Sequence, residues 1–388
     1  MGSDNTGPDR LTDSAVAPAW DRFARWRPWP ARILLAVLAV LVVLAALTPL
    51  TASMDGTPSE VPSFVGADAA GQVDPDGDPV EERERDEDLA FYDRVIERIA
   101  GGENYYDFIV EEQRARDYPV RPGAVVRLPT LAYIHAWLGE PGMIVVSIVL
   151  LIATVWAWWR RLGEEPGGAR RQRIGAALMF LGGSLGLNRS YFVMHELWAG
   201  MLIALAFGLH RPGRWGWALV VAAMALAVRE LVLPFVLLMG AMAVWRRDWR
   251  EAAAWGTLVG VFFAVMAWHF AQIEPQVLPG DPEGPDWLVL RGLSGWLGNI
   301  VLTSNLRFLP HAIAAPIVLL MVLGWAGWRT PAGTTGTLLY LGYGLAFMLA
   351  GRENNFYWGA LIAPAMFVGL VFLPMALGSL VRSARGIR

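Results

Sequence analysis

Long apolar runs separated by short charged stretches cover most of this chain, and they lack the wide polar face of soluble helices. The first run, residues 33–50, follows a polar tail at 1–32 that ends in "RFARWRPWPAR". It is longer than the usual ~7–15-residue core of a secretory signal, so it reads as an anchor with its Arg-rich flank inside. Residues 51–85 are rich in Pro, Gly and acid and read as a disordered linker. From 86 to 142 the pattern becomes amphipathic; "VVRLPTLAYIHAWLG" is too short to span and is expected to lie along the interface. Further spans are expected at 143–159, 174–190, 195–209, 215–228, 231–245, 252–270, 309–328, 334–350 and 357–381. That makes ten with the first, with an external loop at 271–308 and a cytoplasmic tail at 382–388.

Two of these spans could be fused with their neighbours. "WGWALVVAAMALAVRELVLPFVLLMGAMAVWRRDWR" could be one helix with Arg229 and Glu230 at its middle. A charge at the bilayer centre costs ~2.5–3.5 kcal/mol on the mildest scale. Both ends are also basic, so the positive-inside rule makes the segment cross twice, with Arg229 and Glu230 at an outer turn. "RRQR" and "HRPGR" flank a second hairpin, whose tip is "NRSYFVMHE". The arms are short of the ~20 residues a full crossing needs, so either the tips are drawn into the membrane or the bilayer thins there, as a cleft opening outward would explain. Both termini then lie inside.

Composition sharpens this picture. Of 388 residues, 55% are hydrophobic and 19 are Trp, which places the chain among polytopic membrane proteins. A net charge of −3 without a basic stripe argues against nucleic acid as a partner. There is no Cys, which excludes disulfides and thiolate metal sites. All 32 basic residues are Arg, so every cation can make a fork-shaped contact with phosphate or carboxylate.

The polar residues near the membrane collect on the outer face: Asp86, Glu87 and Asp88; Arg127; "NRSY" and "HE" at 188–196; Arg229 and Glu230; "SNLR" at 304–307; and "GRENNFYW" at 351–358. Such groups are costly beside lipid and normally face an internal cavity. Each cluster could also cap a helix end, yet six on one side describe one water-accessible site. In "DEDLAFYDRVIERIA", Leu89, Tyr92, Val95, Ile96 and Ile99 share a helical face. Asp88 falls on that face, Glu87 opposite it and Asp86 off it. An Asp at this position either caps the helix, worth ~1 kcal/mol, or serves chemistry.

The stretch from Asp88 through "GGENYYDF" to "YPVRP" and "VRLPTLAYIHAWLG" resembles the first external loop of the GT-C superfamily, integral-membrane glycosyltransferases that use polyprenyl-phosphate-linked sugars. Asp88 and Tyr92 match the family's D-x-x-x-Y spacing, "AGGENYY" its G-x-x-Y, and "RLPT" stands in for the Pro-rich motif before the next span. Weaker likenesses run through His195–Glu196 and Arg229–Glu230, so the resemblance covers residues 86–245. One departure is the linker between the first span and the acid, which makes Asp55 a rival without helix or Tyr.

The resemblance implies an all-α polytopic membrane protein of about ten transmembrane helices, GT-C-like, with amphipathic juxtamembrane helices in the external loop after the first span. It implies inverting transfer of a hexosyl or pentosyl group from a polyprenyl-phosphate carrier to an envelope lipid or glycan acceptor. The expected setting is the outer face of a bacterial inner membrane, amid membrane lipids. Asp88 would be the general base, with Asp86, Glu87 and Glu196 as alternatives. Arg229 and Arg352, then Arg127 and Arg291, would hold the lipid phosphate, unless each only pairs with a neighbouring acid. His195, Glu230, Tyr92, Asn354, Asn355 and Tyr357 would contact substrate. No metal ligand set is assigned, although His195 and Glu196 could hold a divalent cation, Mg or Mn. The rivals are a lipid-linked-sugar transporter or flippase, disfavoured by the lack of repeats and of a midplane site, and a catalytically silent membrane scaffold. A metalloprotease is excluded, because "HE" is followed by "LWAGM" rather than the x-x-H it needs.

Overall fold

The computed structural model describes residues 20–50, 87–165, 168–284 and 286–387, so the linker read at 51–85, Asp55 and Asp86 lie outside the described residues. Regular structure among them is helical. In chain order the helices are α1 Pro28–Leu47, α2 Glu87–Ala100, α3 Tyr105–Arg114, α4 Thr130–Gly163, α5 Gly168–Gly183, α6 His195–Leu209 and α7 Gly216–Val228. There follow α8 Leu233–Trp245, α9 Trp249–Ile273, α10 Gly292–Leu302, α11 His311–Gly327, α12 Pro331–Leu349, α13 Ala363–Met366 and α14 Leu373–Arg385.

Among the described residues, three helices are long and apolar enough to cross a membrane: α1, α4 and α9 with its extension to Gln276. A fourth candidate is the pair Asn354–Leu361 and Ala363–Val371, bent by 57°. By length this is not ten. The reason lies at the polar tips. α6, α7 and α8 have 15, 13 and 13 residues, and at ~1.5 Å per residue each falls short of a ~30 Å hydrocarbon core. The tip before α6 holds two 3-10 turns, Ser184–Leu187 and Arg189–Tyr191, and the tip before α8 one, Glu230–Val232, so the backbone leaves the helix at both.

The segment 357–381 is not one helix either. It runs as 3-10 turns at Glu353–Leu361 and Phe367–Val371, interleaved with α13 and α14. Pro364 and Pro374, which lack a donor N–H, stand just inside α13 and α14. The 353–361 segment is gripped closely from two sides. A Cβ on Gly200 of α6 would lie 2.0 Å from the Ala360 carbonyl, and one on Gly359 would lie 2.0 Å from that of Asn299 on α10. Helix α10 itself falls within 271–308, the stretch read from sequence as a loop, and Gly295–Leu302 are buried.

Helix α6 is the axis of the bundle, buried from His195 to Gly208 without a polar stripe. Around it α4, α7 and the 353–361 segment pack into one large apolar core. Helix α1 sits apart, against α11 and α14. The chain before it is clamped there: Asp21 Oδ1 accepts from Phe23 N–H and from Ser379 Oγ–H, both at 3.0 Å.

A second, smaller core joins α2, α3 and the loop before α4. Phe91, Val95 and Ile99 of α2 are buried in it, with Tyr92 and Ile96 at its edge. This is the amphipathic face expected from sequence, turned slightly toward Phe91. The expected interfacial segment is the first arm of α4. It kinks into the long apolar arm at Gly139, whose φ of 62° suits glycine, just before Pro141.

Candidate functional site

Charged residues from three separate stretches meet at one end of the bundle. Arg229 caps α7 in an extended conformation, φ −148° and ψ 121°, which turns its side chain back between α6 and the following turn. Its Nε donates to Glu196 Oε1 at 2.6 Å, and its Nη1 donates to Glu230 Oε1. Glu230 Oε1 also accepts from Arg127 Nη1 at 3.4 Å. The order Glu196, Arg229, Glu230, Arg127 therefore alternates in sign, which is how buried charge is tolerated. Tyr92 of α2 adds its hydroxyl, 3.4 Å from Arg127 Nε, and its ring lies 5.2 Å from that of His195. Tyr357 approaches from the 353–361 segment and accepts a hydrogen bond from Asn355 Nδ2 at 3.1 Å.

The two arginines differ in kind. The Arg229 side chain is 1% exposed and held by two carboxylates, through Nε and Nη1. Arg127 is 19% exposed and makes only long contacts, so it has donors to offer a third party. Burial opposes its charge, but Tyr92, Glu230 and Glu196 outweigh that, and its pKa stands well above that of a free arginine.

Supporting residues fix the Arg127 backbone. Tyr105 Oη–H donates to the Arg127 carbonyl at 2.6 Å, and the Tyr105 N–H donates to Tyr133 Oη at 3.2 Å. One residue earlier, the Val126 carbonyl lies 3.0 Å from Nε2 of His269 in α9. A carbonyl can only accept, so His269 carries its proton on Nε2, and its Nδ1 accepts from Tyr106 Oη–H at 3.0 Å. Tyr105 is the Tyr of the G-x-x-Y match, read there without a role, and His269 did not stand out in the sequence. An ionisable His inside a candidate span was the available signal.

Asp88 lies in the first turn of α2, one turn before Tyr92, and Glu87 opens that helix. The other expected residues lie less centrally. Arg291 donates from Nη1 to Asn299 Oδ1 of α10 at 3.0 Å. Arg352 is exposed, its backbone N–H capped by Asn355 Oδ1 at 2.9 Å. Asn354 keeps a buried Oδ1 without a partner.

Beside the cluster is a cavity of about 20 Å³ lined by Phe91, Tyr92, Tyr105, Gln113, Arg127 and His195 among others. That is room for a water, which could satisfy the buried, unpartnered Oε1 of Gln113. Among the described residues, no three of His, Asp or Glu gather into a group that could hold a metal ion. His195 and Glu196 diverge, one toward Tyr92 and the other onto Arg229.

The arrangement can hold an anion at Arg127, which Glu230 and Tyr92 of α2 adjoin. Comparison with known proteins returns no match, whether to a family model, a curated protein or a solved structure.

Proposed function

We propose that this chain is an inverting GT-C-type glycosyltransferase, moving a sugar from a polyprenyl-phosphate carrier to an envelope lipid or glycan. The observation that carries the reading is the chain of contacts Arg127–Glu230–Arg229–Glu196, drawn from segments far apart in sequence to one end of an apolar helix bundle. Charge of this density among apolar helices is costly and marks functional sites. In this reading the cluster faces the outside of a bacterial inner membrane. The short helices α5 to α8 cross in hairpins beside the longer spans, ten crossings in all, and both termini are cytoplasmic.

Asp88 takes the proton from an acceptor hydroxyl as that oxygen attacks the anomeric carbon. The carbon–oxygen bond to the lipid phosphate breaks, its electron pair leaves with the phosphate, and configuration inverts. Asp86, Glu87 and Glu196 are the alternative bases. Arg127 stabilises the departing phosphate, where a fixed cation in a dry setting acts most strongly. Arg229 is a positioning residue, holding Glu196 and Glu230 so that Arg127 keeps its place. His195, Tyr92, Asn355 and Tyr357 supply the ring faces and amide that orient the sugar.

The test uses purified protein and polyprenyl-phosphate-linked sugars extracted from membranes of the source cells. Wild type should release free polyprenyl phosphate in step with glycosylated product, while Asp88→Asn, eluting as a folded protein, should release neither. Equal release from both would remove Asp88 from the chemistry.

A further inference from the structure

We infer that residues 286–291 form a leaflet-embedded clip, seating Leu288 and Leu290 in the acyl layer of the membrane beside the outer end of the bundle. The segment is neither helix nor strand, yet it is pinned at both ends. The Trp287 carbonyl accepts from Gly351 N–H at 2.8 Å, and Arg291 N–H donates to the Met348 carbonyl in the last turn of α12 at 2.9 Å. The Trp287 ring stacks on Trp358, with centroids 5.7 Å apart and planes at 21°. Between the pins, Leu288 is 84% exposed and Leu290 80%, with Val289 half-exposed. An apolar run turned outward while its backbone is held in place marks a surface built to be covered by something apolar.

The neighbours say what covers it. Ser294 Oγ–H donates to the Pro49 carbonyl at 2.9 Å, two residues past the end of α1. Helix α1 is 20 residues long, about the thickness of the hydrocarbon core, and it exposes Val40, Val43, Leu44 and Leu47. Helix α12 exposes Leu338, Leu341, Leu345 and Leu349, a stripe that ends where Arg291 is pinned. The two leucines therefore extend the apolar surface of both helices past their ends. Trp287 and the flanking Asp286 and Arg291 suit the polar border of a bilayer. A lipid surface fits this continuity, whereas a protein partner would have to lie against the helix stripes as well. The inference stands apart from the chemistry proposed above, although Trp358 adjoins Tyr357, so membrane depth and the cluster share one rigid segment.

The chain has no Cys, so single nitroxide labels can be placed at will. Leu288→Cys and Leu290→Cys are compared with Leu44→Cys on α1 and with Glu283→Cys in the polar loop, reconstituted in phosphatidylethanolamine–phosphatidylglycerol vesicles. Both leucines are largely exposed, so their replacement opens no cavity, and elution volume checks the fold. Collision with oxygen relative to a water-soluble nickel chelate should be close to that at Leu44 and about an order of magnitude above that at Glu283. Nickel access at 288 and 290 equal to that at 283 would overturn the inference. Exclusion of both probes would overturn it too, and would point to cover by protein.

Discussion

Arg229 and Glu196 form a buried ion pair, Nε to Oε1 at 2.6 Å, in which neither side chain is more than 5% exposed. Its partners sit at the cap of α7 and in the first turn of α6, so the pair ties two hairpin tips together. Removing one member strands the other charge in an apolar setting, at about 3–5 kcal/mol. Arg229→Met should therefore lower thermal stability strongly in detergent, and Arg229→Met/Glu196→Leu should recover most of the loss. A double variant no more stable than the single one would show that the pair is not what holds the tips.

Arg127 should behave in the opposite way. Its contacts to Glu230 and Tyr92 are both 3.4 Å long, at the weak end of hydrogen bonding, and Glu230 keeps Arg229 when Arg127 is lost. Arg127→Ala should cut turnover on a lipid-phosphate sugar by about 10²–10³ while the unfolding midpoint barely moves. Arg127→Lys, which keeps the charge without the fork, should fall between. Turnover and stability falling in parallel would reduce Arg127 to a structural role.

Arg352 tests the ranking suggested by sequence. It is exposed, so Arg352→Ala should leave stability within about 0.5 kcal/mol of wild type and turnover nearly unchanged. A loss comparable with that of Arg127→Ala would return it to the phosphate site.

These contrasts show what the sequence could and could not convey. Arg229–Glu230 and His195–Glu196 stood out because charge inside apolar runs is costly, and the same cost brings them together in the fold. The ends of α6 and α7 were legible for the same reason, since the basic flanks and polar tips bound them. Nothing in the sequence told that Arg229 would be buried between two acids while Arg127 kept donors, because that depends on which tip reaches which. The break across 357–381 was hidden too. Its run is apolar throughout, and its tight turns follow from Pro364 and Pro374 together with the close approach of α6 and α10 at Gly200 and Gly359. Helix α10 escaped notice because "GLSGWLGNIVL" is short and Gly-rich, yet burial against neighbours stabilises it despite poor propensity.

The second core has its own acid-sensitive clasp. Arg114, ending α3, holds Asp281 through Nε–Oδ1 at 2.5 Å and Nη2–Oδ2 at 3.0 Å. The Leu278 N–H adds a bond to Oδ2 at 2.8 Å. Hydrogen bonds from Arg114, then from the Leu278 backbone, hold the Asp281 pKa down at about 2. An unfolded Asp titrates near ~3.9, so the folded clasp binds its proton less readily. Its stabilisation is complete above that value and is lost as pH falls through about 2. Protease resistance of α2 and α3 should thus weaken between pH 4 and pH 2 in wild type, and Asp281→Asn should be weaker at neutral pH and flatter below it. Identical pH profiles for the two would remove the clasp from the account.

Asp88 carries the central claim, and the most direct measurement is mass spectrometry of envelope lipids and glycans from three strains. One lacks the gene, one is complemented with wild type, and one carries Asp88→Asn at equal membrane abundance. A sugar-sized mass that disappears in the deletion and returns only with wild type is the predicted result. Full return with Asp88→Asn would contradict Asp88 as the base, and no change in any strain would contradict the glycosyltransferase itself.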